Sequence, residues 1–263
     1  MSQADSIVTM QLEGAVLRVR MNRPAARNAL NAAMLRALRS SFEHAAENPD
    51  VRAVLLEGEG SVFCAGGDLK EIFSNPTPLG IRRFLDEEMR PVLRAITQLG
   101  KPVVSALAGP VAGAGIGIAL SADIIIAAER ASFVPAFGKV GAMPDSSVLY
   151  LMVRNIGVLR TKEIVLRNLS LTATEAAALG LYTRVVADAE LPTVALSIAQ
   201  EVATGPTVAH GLAKHVLQYA STLSFDAFME MESMAMGLLN TTGDQREGLA
   251  AFAERREPVF AGR

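Results

Sequence analysis

The sequence predicts an α/β protein with a coiled parallel sheet at its core and a helical C-terminal portion. Residues 102 to 128, PVVSALAGPVAGAGIGIALSADIIIAA, hold two continuous apolar runs, Val103 to Leu107 and Asp123 to Ala128. A turn from Gly109 to Gly113 and a short apolar helix from Ala114 to Ser121 separate them. Apolar runs without alternation, bounded by Gly and Pro, are strands covered on both faces. Strand and helix patterns also alternate along the middle of the chain, whereas only helical patterns follow position 189.

Residues 6 to 21 alternate apolar and polar about Glu13-Gly14, the pattern of a β-hairpin. Turn chemistry in NRPAARNALN then leads to Asn31, a good N-cap for an amphipathic helix ending near Ala46. Val51 to Glu57 reads as a strand, followed by GEGSVFCAGGDLKEI with a short helix starting near Asp68. A charged amphipathic helix spans 80 to 98; Asp86, Glu87 and Glu88 on it form a solvated face or turn a carboxylate toward a site. After the central stretch, Pro144-Asp145-Ser146-Ser147 opens another helix, with Asp145 a favoured cap residue. Helices follow at 158–168, 173–179, 189–204, 206–221, 225–239 and 244–254, with a short strand over Thr183 to Val186.

The 263 residues, half of them hydrophobic with mean hydropathy +0.29, suffice for one large core. The apolar runs fall short of the roughly 18 to 20 residues that cross a bilayer, so the expectation is a soluble protein without a membrane partner. MSQADSIVTM lacks the basic-then-apolar order of an export signal, and Cys64 is the single cysteine; both point to the cytoplasm. A net charge of -2 gives no nucleic-acid footprint. His44, His210 and His215 form no metal-ligating cluster with cysteine or carboxylates, so no metal is expected. No repeat or low-complexity tract is present.

The glycine-rich turn delivers a helix start into the interior, where unpaired N–H groups and partial positive charge can hold an oxyanion. Gly113, Ala114 and Gly115 would let a ligand approach that backbone, although the same small residues serve equally as packing residues. A dinucleotide fingerprint fails because Ile118 stands where its third glycine belongs. Cys64-Ala65-Gly66-Gly67, after a strand, offers a second set of exposed N–H groups or an ordinary loop capped by Asp68. Cys64 itself reads as a small buried hydrophobe.

FCAGGDLKE at 63 to 71 and AGPVAGAGIGIALSADIIIAA at 108 to 128 resemble the two signature regions of the crotonase, or enoyl-CoA hydratase/isomerase, superfamily. The likeness extends from RPAARNALN at 23 to 31 to REGLAAFAERREPVFAG at 246 to 262. It implies a crotonase-like spiral of ββα turns, with residues 1–200 an acyl-CoA-binding core and 201–263 a helical region used for trimer assembly, often as a dimer of trimers. The substrate it implies is an acyl-CoA, with CoA part of the substrate and no separate cofactor. The thioester oxygen would lie between the N–H groups of Ala65 and Ala114, the latter replacing a common glycine. By the same resemblance Arg23, Arg27, Gly66, Gly67, Asp68, Leu69, Gly113 and Phe137 contact the substrate, with Arg255 near the CoA phosphates. Each of these charges also reads as solvated surface.

Two catalytic glutamates of the hydratase pattern fall here on Gly117 and Phe137, which cannot move a proton. Asp145 remains. In this the chain is similar to the branch of phenylacetate-pathway epoxyphenylacetyl-CoA isomerases and Δ3,Δ2-enoyl-CoA isomerases, although Ser146-Ser147-Val148 replaces the glycines that usually follow the acid. One carboxylate suits isomerisation, in which one base takes a proton from C2 and returns it at C4; hydration needs a second group to activate water. Burial against Met143, Phe137 and Val148 would make Asp145 a stronger base. The alternatives are a hydratase of low activity, using Ser146 or Glu88 to hold water, and a non-catalytic acyl-CoA-binding protein.

Overall fold

The computed structural model describes residues 6–72, 74 and 77–263. Strands β1 (Val8–Glu13) and β2 (Val16–Met21) form the expected antiparallel hairpin, in register from Val8 opposite Met21 to Glu13 opposite Val16. β2 then begins a parallel series with β3 (Ala53–Gly58), β4 (Val103–Leu107), β6 (Ile124–Ala128) and β9 (Arg184–Val186). The six strands lie in the order β1-β2-β3-β4-β6-β9.

The strands missing from that order make a second, smaller sheet: β5 (Val111–Ala112), β7 (Ser132–Val134) and β8 (Leu171–Thr172). β5 and β7 pair in parallel, and isolated parallel bridges join Cys64 to Val111 and Leu30 to Gly67. β2, β3, β4 and β6 are thus each followed by a short extended piece in the second layer and then by a helix. That alternation is the spiral of ββα turns. The short pieces give no sequence signal because two or three residues cannot display a period.

Both faces of the main sheet are covered, which is why its strands read as unbroken apolar runs. One face packs on α1 (Ala32–Glu47), where Met34, Leu35, Leu38 and Phe42 are buried, and on α4 (Arg90–Thr97) and α5 (Ala114–Leu120). Asn31 caps α1 by accepting the Met34 N–H at 2.9 Å. On the other face Val16, Leu55, Val104 and Ile126 meet α8 (Leu191–Thr204) through Leu191, Ala195, Ala199 and Ala203. Alanines four residues apart form one smooth stripe that lets the helix axis approach the strands.

The single helix expected over 80–98 is instead α3 (Pro78–Arg83), a π-turn over Phe84–Met89, and α4. Pro91 has no N–H to continue the ladder, and the Arg90 N–H reaches back five residues to the Leu85 carbonyl. α6 (Val148–Leu166) is broken at Gly157, with φ 74° and ψ 166°, so a separate helix does begin at 158. The rest of the chain contributes α2 (Leu69–Ile72), α7 (Ala173–Leu179), α9 (Thr207–Leu217), α10 (Phe225–Leu239) and α11 (Gly243–Glu254). No described helix is long and apolar enough to cross a membrane.

Ala199→Leu would force three carbons into a fully buried contact between α8 and the sheet. It should destabilise the fold by about 1–3 kcal/mol, read as a lower urea midpoint with an unchanged slope.

Candidate active site

Because β2, β3 and β4 are parallel, their C-terminal ends open on one edge of the sheet, where α/β sheets bind ligands. Three loops leave that edge: 22–31, 59–68 and 108–113. Main-chain hydrogen bonds stitch them together. Ala65 N donates to Arg27 O (3.0 Å), Leu30 N to Gly66 O (2.8 Å) and Asp68 N to Leu30 O (2.9 Å). On the other side Cys64 N donates to Pro110 O (3.4 Å) and Ala112 N to Cys64 O (2.9 Å). Asn28, fully buried and left-handed at φ 55°, completes the seam. Its amide donates to the carbonyls of Glu59 (3.0 Å) and Val62 (2.9 Å), and its Oδ1 accepts the Arg23 N–H (2.9 Å).

This seam corrects the expected donor on Ala65. The Ala65 N–H is already engaged by Arg27, and the Gly66 N–H turns inward to Cys64 Sγ at 3.4 Å. Of the N–H groups of residues 64 to 68, that of Gly67 is the one without an acceptor among the described residues. The sequence could not reveal this, because the partner that occupies Ala65 lies 38 positions earlier. Ala114, the first residue of α5, also has a free N–H, since the opening turn of a helix has no preceding carbonyls.

The two N–H groups come from backbones in close contact. Gly66 has φ +93°, and a Cβ there would stand 2.9 Å from Ala112 O and 3.4 Å from Ala114 N. Behind them a Cβ on Gly115 would meet Cys64 Cβ and Sγ at 2.7 Å. Cys64 is fully buried and donates to Asn28 O at 3.2 Å; burial pushes its thiol up to about 12, so it is packing and not a nucleophile.

Asp145 reaches α5 through its neighbour. A Cβ on Gly117 would lie 1.9 Å from Ser146 O, so the main chain at 146 rests directly on α5, one turn beyond Ala114. The Asp145 carboxylate is partly buried and accepts the Ser146 hydroxyl on Oδ1 at 2.8 Å. Burial holds its carboxyl above the usual carboxylate range, opposed by the hydrogen bonds from Ser146 and from its own main chain. The expected cap role is not taken up. Ser147 is the N-cap residue of α6 and makes no side-chain cap bond, while Asp145 contributes only its carbonyl, to Val148 N at 2.8 Å. Of the side chains expected to bury Asp145, Phe137 and Val148 lie in the core cluster, but Met143 is 69% exposed.

The other charges near these loops divide clearly. Arg23 is committed to Asp68 Oδ2 (3.3 Å) and Ala29 O (2.9 Å), a brace across the seam that also occupies Asp68. Arg27 is exposed with no side-chain partner among the described residues, as is Leu69, at 48%. Arg255 is exposed at the end of α11 and is not brought to the loops within one chain. The segment after it is held at the opposite edge, where Arg52 donates to Phe260 O at 2.8 Å. Glu88 is forked by Arg36, Asp86 pairs with Arg82 (3.5 Å) and Arg90 (2.5 Å), and Glu87 is exposed. A cavity of about 720 Å³ lies beside the 145–147 segment, among Thr97, Asp123, Ser147, Tyr150 and Lys214. No described cluster of three or more His, Cys, Asp or Glu residues could hold a metal ion.

A ββα spiral with two N–H groups from neighbouring turns left without acceptors among the described residues offers a place for an oxyanion. The chain belongs to the enoyl-CoA hydratase/isomerase family, whose pattern matches residues 11–263. It is 34% identical over 262 residues to the 1,2-epoxyphenylacetyl-CoA isomerase of Escherichia coli, covering 97% of this chain and 98% of that one. It is 32% identical over 249 residues to the 2,3-dehydroadipyl-CoA hydratase of the same organism, covering 94% and 96%. The solved enoyl-CoA hydratase of Bacillus anthracis superposes with a TM-score of 0.92 at 30% identity, covering 98% of this chain and all of that one.

Gly117→Ala should displace the 145–147 segment, because the added carbon would stand 1.9 Å from a main-chain oxygen. A melting temperature and activity equal to the parent's would contradict that contact.

Proposed function

We propose that the protein is an acyl-CoA isomerase that shifts a double bond through a thioester enolate, with Asp145 as its single acid–base. The observation that carries this is the Asp145 carboxylate on a segment packed directly against α5 at Gly117, with the hydratase positions filled by Gly117 and Phe137. The thioester oxygen accepts from Gly67 N–H and Ala114 N–H. Asp145 takes a proton from C2, the electrons delocalise onto that oxygen, and the proton returns at C4. Burial, by raising the basicity of Asp145, assists the first step. Arg27 is the cation available to a CoA phosphate.

The ion pairs of Asp86 and Glu88 support one-base chemistry, since a second free carboxylate is what activation of water requires. Hydration remains the competing reaction, motivated by the similarity to the dehydroadipyl-CoA enzyme. The two are separated by absorbance: isomerisation of a 3-enoyl-CoA creates the conjugated thioester, whereas hydration of a 2-enoyl-CoA destroys it.

Asp145→Asn should abolish isomerisation while acyl-CoA binding persists. The ionised carboxylate is costlier in the folded protein than in the unfolded one, so it penalises stability as pH rises above its ordinary 3.8. The variant should therefore melt no lower than the parent at pH 7, with any difference closing as pH falls below that value. Gly67→Pro removes one donor without breaking a described hydrogen bond and should lower kcat by about 10²–10³. Near-parental turnover by either purified variant would refute its assignment.

We also propose that copies of the chain assemble, through the C-terminal helices. α10 buries no residue, yet it presents Phe225, Met236 and Leu238, 77%, 55% and 60% exposed, and Phe252 of α11 is 85% exposed. An apolar surface of that kind is covered by a partner, and the family resemblance makes a trimer or a dimer of trimers the expected assembly. Sedimentation at micromolar concentration should give a multiple of three times the 27.8 kDa chain mass; a monomer would overturn the proposal.

A further inference from the structure

The segment that carries Asp145 is held in an unusual way. Ser146 and Ser147 have successive left-handed backbones, φ 50° and 62°. Such conformations are costly for residues with a Cβ and persist where the surroundings impose them. At Ser146 the constraint is visible: its carbonyl is against Gly117 and its side chain is nearly enclosed, the residue being 7% exposed. The hydroxyl is not used to cap α6. Its described partner is Asp145 Oδ1, at 2.8 Å.

We propose that Ser146 is a positioning residue, whose hydroxyl clamps Oδ1 of Asp145 so that Oδ2 alone exchanges the proton with the acyl group. This rests on the isomerase reading above and adds to it a residue for which the resemblance gave no role in isomerisation. The C2–H bond breaks as Oδ2 takes the proton and the electron pair moves into the enolate. The same Oδ2–H then gives that proton to C4: the C3=C4 π pair forms the new C4–H bond, the C1=C2 pair shifts to C2=C3, and the pair on oxygen restores the thioester carbonyl. Ser146 keeps its own proton throughout. A carboxylate bound at one oxygen is held to one rotamer, and positioning of this kind contributes substantially to catalysis.

The hydroxyl donates to the charged carboxylate and so opposes the effect of burial on Asp145. Among the described residues no charged side chain hydrogen-bonds or pairs with Asp145. α5 carries no ionisable side chain, Lys139 on the preceding turn is exposed, and Arg154 of α6 is committed to Ser221 Oγ (2.8 Å) and Leu217 O (3.3 Å). Beyond α5, Asp123 is paired with Lys214 at 2.8 Å.

The test uses Ser146→Gly, which removes the hydroxyl while relaxing a left-handed backbone and so should fold, with Ser146→Ala beside it. The Asp145 carboxyl is titrated in substrate-free protein by ¹³C NMR, and kcat/KM for a 3-enoyl-CoA is measured across pH. Both variants should move the carboxyl midpoint and the acid limb of kcat/KM to higher pH, lowering kcat/KM about tenfold on that limb, with KM little changed. An unmoved midpoint in folded Ser146→Gly overturns the proposal, as does a loss of activity uniform in pH. Turnover surviving in Asp145→Asn would sink the isomerase reading instead, while the substrate-free titration still decides whether Ser146 holds the carboxylate.

Discussion

The site depends on main-chain hydrogen bonds that cross between loops from different turns of the spiral. Each is worth only about 0.5–1.5 kcal/mol net, but together they decide which amides are spent on structure and which are left over. Arg27 consumes the Ala65 N–H, Cys64 Sγ consumes that of Gly66, and Leu30 consumes that of Asp68. Within residues 64 to 68 this leaves the N–H of Gly67 among the described residues, and the start of α5 leaves that of Ala114. Neither donor is a side chain, so their placement is inherited from strand register and not from local composition. The small residues at 66 and 115 are needed because the stitched backbones lie within van der Waals distance of one another.

The acid–base side of the site follows a different logic. Hydratase-type chemistry would require a long carboxylate side chain on α5, yet position 117 has no room even for a methyl group while Ser146 O lies where it does. The loop that carries Asp145 has closed onto that space. Absence of an acid on α5 and presence of one at 145 are therefore one structural fact. Partial burial of Asp145, together with the Ser146 hydroxyl, then sets how readily the carboxylate accepts a proton.

Most of the fold was legible in the sequence, because its long elements are bounded by Gly, Pro and capping residues. The strand over Val103–Leu107, the helices Ala173–Leu179 and Phe225–Leu239, and the Asn31 cap all appear where the pattern puts them. The second sheet was not legible, since its pairings are two or three residues long. Nor was the π-turn, which depends on how Pro91 breaks a ladder that otherwise has helical periodicity. At the site, the loops that supply the donors could be found from glycine and helix-start chemistry, but not the particular amide. That choice is made by Arg27, whose left-handed backbone aims its carbonyl at residue 65. The orientation of Ser146 was equally hidden, because its φ is imposed by contact with a distant helix.

The contact between Gly117 and Ser146 also bears on how such enzymes can diverge. A chain with this geometry cannot acquire an acid at position 117 by one substitution, since the newcomer would collide with main chain; the 145–147 segment must first withdraw, and Asp145 would move with it. An acid at 117 and the present packing of 146 therefore exclude one another within one backbone. Room for a side chain at 117 has to come from a longer connection before α6, so the length of that connection decides what this helix can carry.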